Sequence, residues 1–261
     1  MKCTVQTVAD AMNRWAPRRL AEEWDNPGLL VGDPSAEVKK IFVCLDVLDD
    51  KISRAIELDA QLIVAHHPLI FRASKNVRFD LPLGKKLERL IKNDVAVFAA
   101  HTNLDSAEGG VNDVLARRIG LADVKMIGDE EISMGRLGTL AKPMTAEDFA
   151  RHVKAALNAD NVRLICAGDF KISKVGICGG AGAEFIQKAK FFGAQAFVTG
   201  DVKYHDAQAA VENGIHVIDA GHFATEYPIV HELAEYLRGE LEDFGIEIIE
   251  DTAASDFFVT M

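Results

Sequence analysis

The sequence is poor in cysteine, in long apolar runs and in positive charge, and each shortage excludes something. Its four cysteines, Cys3, Cys44, Cys166 and Cys178, form no C-x-x-C pair, so no thiolate metal site is expected. Cys44, Cys166 and Cys178 fall inside apolar strand-like segments, where small buried thiols are common. No apolar run approaches the roughly 18 residues of a membrane span. The opening MKCTVQTVADAMNRWAP reads as an amphipathic helix without the apolar core and cleavage site of a signal peptide. A cytoplasmic, reduced protein with no membrane partner is expected. With 29 basic against 40 acidic side chains the net charge is −11. Such a surface repels a phosphate backbone, so nucleic acid is not an expected partner. The best basic cluster, Arg14 to Arg19, is short.

What is present is an alternation of apolar runs and helical patterns. KKIFVCLD, QLIVAHH and VAVFAAH read as strands, and DDKISRAIELDA, LGKKLERLIKND and GGVNDVLARRIG as the helices between and after them. This βαβ rhythm predicts an α/β fold with a mostly parallel or mixed sheet covered by helices. Near residue 125 the pattern changes. MGRLGTLAKPMTAEDFARHVKAAL reads as strand, turn and helix, with Thr145 as N-cap. NVRLICAG, KVGICGG, AQAFVTGD and GIHVIDAG read as strands, AEFIQKAKFFG as a helix and TEYPIVHELAEYLRGELEDFG as one long final helix. Two similar α/β lobes are expected, 1–125 and 126–261, with the last helix able to pack back on the first.

Histidines and carboxylates cluster just past the ends of the apolar runs: His66 and His67 after QLIVA, His101 and Asp105 after VAVFAA, His222 and Glu226 after HVIDAG. Imidazole and carboxylate are ligands for a catalytic metal, and strand ends are where open α/β sheets place their sites. Each group also has a plainer explanation. Neighbouring side chains on a strand point to opposite faces, so His66 and His67 seldom share one ion; one would pack and the other face water. Asn103 and Asp105 would suit a turn. Glu226 would suit the first turn of a helix beginning near Thr225. Convergence favours metal, because three strand ends supply five ligands, His66, His67, Asp105, His222 and Glu226, enough for two ions with positions left for water.

At these residues the chain resembles the Nif-three-like dinuclear-metal family, also called type 2 GTP cyclohydrolase I. The matching stretches are AEEWDNPGLLVGDP (21–34), CLDV (44–47), HHPLIF (66–71), HTNLD (101–105), GGVNDVLA (109–116), CGGAGAEFI (178–186), TGD (199–201) and GHFATE (221–226). Pro27 stands where the family usually has Val. The insertion domain of larger members is absent. The resemblance implies two α/β lobes, a homohexameric ring, and two divalent ions (zinc, iron or manganese) in a cleft between the lobes. It assigns His67 and Asp105 to one ion, His66 and His222 to the other, and Glu226 to both.

His101 is not among the family's ligands, and we read it as a proton shuttle or an orienter of a ligand beside the site, since a neutral histidine suits acid–base work near pH 7; a structural strand-end histidine is the plainer alternative. Asp201 and His205 stand four apart after an apolar run and suit contact with substrate or support of a ligand. Asp46 ends another run and is a further candidate support. The glycines of VGICGGAGAEFI suit a phosphate at a helix start, or simply a tight turn. Trp24-Asp25-Asn26 reads as a turn with Trp24 packed. The expected function is a dinuclear metal-dependent hydrolase acting on a nucleotide or related small molecule, with purine ring opening of the GTP cyclohydrolase type as one form. The alternative is a non-catalytic metal-binding ring that binds partners or stores metal.

Overall fold

The computed structural model describes residues 2–128 and 133–259. The chain forms two compact units, one running to Ala107 and completed by Ile229–Ala254, the other Glu108–Pro228 with the residues from Ser255. The change of pattern near 125 falls inside the second unit rather than at its start. The reason is the helix before it, which lays Leu115, Ala116 and Ile119 into the second unit's core.

The first unit contains, in chain order, α1 (Val5–Trp15), β1 (Gly28–Val31), β2 (Lys40–Cys44), α2 (Asp49–Glu57), β3 (Leu62–Ala65), α3 (Pro82–Lys92), β4 (Ala96–Ala99) and α4 (Thr102–Ser106). The second contains α5 (Val111–Ile119), β5 (Ala122–Met126), β6 (Arg136–Met144), α6 (Ala146–Ala156), β7 (Arg163–Ile165), β8 (Ile172–Ile177), α7 (Ile186–Phe191), β9 (Ala196–Thr199), α8 (Tyr204–Glu212), β10 (His216–Asp219) and α9 (His222–Glu226). The chain then returns to the first unit as α10 (Ile229–Glu240) and β11 (Glu247–Glu250).

The first sheet has the order β1-β4-β3-β2-β11. Its inner pairs are parallel, and β1 is antiparallel to β4. LIVA of β3 and AVFA of β4 are buried at every position, as strands covered on both faces must be. Phe42, Ile63, Val97 and Leu90 pack in that core with Ile249 of β11. The second sheet has the order β5-β6-β8-β9-β10-β7, parallel through β8, β9 and β10 and antiparallel at both margins.

Local signals account for several boundaries. Thr145 caps α6 by accepting from the N–H of Asp148, as its position suggested. The expected long final helix is broken: α9 ends at Glu226, and Pro228 separates it from α10, because a proline has no N–H to donate to the carbonyl four residues before it. Cys166 lies just beyond β7 and is exposed, unlike Cys44 and Cys178, which are buried as expected. Among the described residues no helix is long and apolar enough to cross a membrane.

Candidate metal centre

In each unit the chemistry gathers at the carboxyl ends of three parallel strands. In the first unit Asp46 follows β2, His66 and His67 follow β3, and His101 follows β4. The alternation that would send His66 and His67 to opposite faces does not apply, because β3 ends at Ala65. Their rings lie 4.9 Å apart. One ring nitrogen from each of His66, His67 and His101 lies within 4.8 Å of the others, a spacing suited to an ion.

The nitrogens they present are fixed by what holds the other side of each ring. His66 is fully buried, and its Nδ1 lies 2.8 Å from the carbonyl oxygen of Ala100. A carbonyl only accepts, so the proton sits on Nδ1 and Nε2 carries the lone pair. His67 Nδ1 meets a carboxylate oxygen of Asp46 at 2.8 Å, and His101 Nδ1 meets one of Asp25 at 2.8 Å. A ligating histidine is set this way, with an acceptor orienting the ring. His66 Nε2 stands 3.7 Å from Oδ1 of buried Asp105. Two donors about 2.1 Å from one ion at tetrahedral angles sit about 3.4 Å apart, close to that separation. The turn is held by Asn103 instead, whose Oδ1 accepts from the His101 N–H and whose Nδ2 donates to the Ala16 carbonyl.

Asp25 is a support the sequence did not reveal, since it lies at no strand end. It accepts from the N–H and hydroxyl of Thr102 and from His101. Burial pushes its carboxyl up, but the hydrogen bonds from His101, Thr102 and the Asn26 backbone outweigh burial and hold it at about 2. Trp24 is not packed as the turn reading expected; it is 57% exposed.

In the second unit His222 and Glu226 are the first and last residues of α9, with His222 Nε2 3.0 Å from Glu226 Oε2. Glu226 therefore does not open a helix, and at the C-terminal end the helix dipole disfavours its charge. Buried there, it needs a positive neighbour. His222 Nδ1 is held at 2.8 Å by Asp201, whose own backbone is left-handed (φ 54°) at the end of β9. His205 interacts within α8, with Gln208 at 3.4 Å.

The glycines of the β8–α7 turn serve space rather than phosphate. Gly179 N–H donates to Asn112 Oδ1, Gly180 N–H to Thr225 Oγ1 and Gly182 N–H to Thr199 Oγ1, so these amides are already engaged. A Cβ on Gly180 (φ +60°) would collide with Glu226 Oε1 and approach His222 Cε1 at 3.2 Å. One on Gly200 would stand 2.6 Å from the backbone nitrogen of His222. Both glycines make room for the His222–Glu226 turn.

The chain matches the family model described as Duf34/NIF3 (NGG1p interacting factor 3) over residues 3–256. It belongs to that family. A Clostridium perfringens protein named GTP cyclohydrolase 1 type 2 homolog is 38% identical over 250 residues, 93% of this chain and 94% of the relative. A Bacillus cereus protein related to NIF3 superposes with a TM-score of 0.93 at 25% identity, covering 100% of both chains. Staphylococcus aureus protein SA1388 does so with a TM-score of 0.92 at 29% identity, covering 99% of each. As a NIF3 protein the chain has two sheets flanked by helices and His, Asp and Glu groups fit to hold a metal ion.

Proposed function

We propose that this NIF3 protein is a hydrolase that depends on two divalent ions, zinc, iron or manganese, and acts on a nucleotide or a related small molecule. The observation that carries the reading is the shared setting of His66, His67 and His222, each held at Nδ1 by an acceptor and so presenting Nε2. The 3.7 Å separation of His66 Nε2 from Asp105 Oδ1 supports a reading in which those two share one ion. This differs from the assignment the resemblance implied, which puts Asp105 with His67. The names carried by its relatives point to a purine nucleotide as substrate. A homohexamer is part of the same proposal.

When bound, two divalent ions lower the pKa of water and offset negative charge developing on the substrate. The residues of the chain supply the rest. Asp46 and Asp201 fix the rings of His67 and His222. His101 moves the proton: the ionised Asp25 orients its ring and stabilises the charge it gains, so Nε2 is the atom that takes and returns it. Attack of water on the imidazole-ring carbon of a purine opens the ring to a formamide, from which a second water releases formate, whereas attack on a phosphate ester or anhydride releases inorganic phosphate.

The test is turnover of GTP by metal-loaded protein with both products assayed, alongside His101→Ala and Glu226→Ala. His101→Ala should keep its metal and lose about 10²- to 10⁴-fold in rate, and Glu226→Ala should lose metal. If loaded protein converts no nucleotide and His101→Ala changes nothing, the hydrolase reading falls and a non-catalytic metal-binding ring replaces it.

A further inference from the structure

Beside His101, two large aromatic rings stand in water: Trp24 is 57% exposed and Phe71 44%. We propose that they form a stacking platform for the planar base of a nucleotide. The identity of the ligand as a nucleotide rests on the hydrolase reading; the platform itself rests on the geometry of the first unit alone.

The three rings of Trp24, Phe71 and His101 contact one another edge to face. Trp24 and Phe71 have centroids 5.8 Å apart at 74°, Trp24 and His101 6.3 Å at 75°, and Phe71 and His101 6.0 Å at 88°. In each such pair one ring turns its edge to the other's face, so the cluster holds its rings at fixed mutual angles while Trp24 and Phe71 keep about half of their surface in water.

The backbone carrying the platform is fixed even though the rings are open. Asp25, next to Trp24, is anchored by the N–H and hydroxyl of Thr102. The N–H of Glu22 donates to Thr102 Oγ1 at 3.0 Å, and Asn26 Nδ2 donates to the carbonyl of Ile70, beside Phe71, at 2.6 Å. These bonds tie the two loops together and pre-organise the rings before any ligand arrives. Stacking on an aromatic face is available to any base. The polar His101 at the inner edge suits a ring with polar edges better than an aliphatic partner, and it places a stacked base beside the group assigned to proton transfer.

The sequence has two tryptophans, Trp15 and Trp24, and Trp15 packs on Tyr236 at 4.5 Å. Trp15→Phe therefore leaves Trp24 as the single reporter. The full-length Trp15→Phe protein, metal-free and metal-loaded, is titrated with guanosine, GTP and tripolyphosphate while Trp24 fluorescence is followed. Guanosine and GTP should quench it saturably in both states and tripolyphosphate should not. Calorimetry should show Trp24→Ala and Phe71→Ala in the wild-type background binding guanosine about 5- to 100-fold more weakly. Trp24→Phe should recover most of the loss. No quenching by guanosine, equal affinity in the alanine variants, or a fluorescence change that follows protein concentration (a second copy covering the face) would overturn the platform. Saturable guanosine binding without hydrolysis of GTP would leave the platform standing and sink only the hydrolase reading. Hydrolysis with an unchanged KM in Trp24→Ala would do the reverse.

Discussion

The carboxylate of Asp201 stands 2.8 Å from Nδ1 of His222, and its placement there uses a left-handed backbone that a non-glycine residue seldom adopts. Asp46 does the same for His67 at 2.8 Å from an ordinary strand end. Both carboxylates act on their histidine from the side away from Nε2. Replacing Asp201 or Asp46 with asparagine should weaken metal binding about 10- to 100-fold without unfolding the chain. Chelator competition on each variant measures this, and wild-type affinity in both would show that the two carboxylates do not support ligands.

Glycine substitutions should separate by place. Gly180→Ala puts a methyl group against Glu226 and demands a positive φ of a residue with a side chain. The cost should be about 2–4 kcal/mol, seen as a lower urea midpoint, together with weaker metal binding. Gly239, inside α10, has nothing within 4 Å of its Cβ position. Gly239→Ala should raise stability by about 0.5–1 kcal/mol. Equal effects at the two positions would contradict the spatial role given to Gly180.

Acid should expose a second buried histidine. His216 is fully buried in β10, accepts from the N–H of Ala167 at Nδ1 and lies against Phe170 with centroids 4.1 Å apart. Burial lowers its pKa below the ordinary 6.5. The folded protein then binds fewer protons than the unfolded chain just below pH 6.5, so stability is full above that value and is lost as pH falls toward the lowered pKa. The Tm of metal-free protein should drop more between pH 7 and 5 in the wild type than in His216→Gln. Parallel pH profiles would remove His216 as the cause.

The candidate site residues were legible because apolar runs mark strand ends, and both units place histidines and carboxylates in the turns that follow them. His66, His67, His101, Asp105, His222 and Glu226 all follow that rule. The supports were legible only where they end a run of their own, as Asp46 and Asp201 do. Asp25 lies in a loop, and its partner Thr102 is 77 residues away, so no local pattern joins them. The glycines around Gly180 fit a phosphate contact or a tight turn in the sequence, because a glycine's role depends on what approaches it, here Glu226 from a separate turn. The edge strand β11 escaped notice because it has four residues and pairs with β2, some 200 residues earlier in the chain. Trp24 departs from the packed expectation for a related reason: apolar character favours burial, but its exposure is set by the loops around His101.

Metal content decides most directly whether the centre is dinuclear. Protein purified without added metal, and again after reconstitution, should carry about two divalent ions per chain by elemental analysis, and Glu226→Ala should fall well below that while keeping its fold by circular dichroism. No bound metal and no uptake on reconstitution would contradict the dinuclear centre and the hydrolase with it.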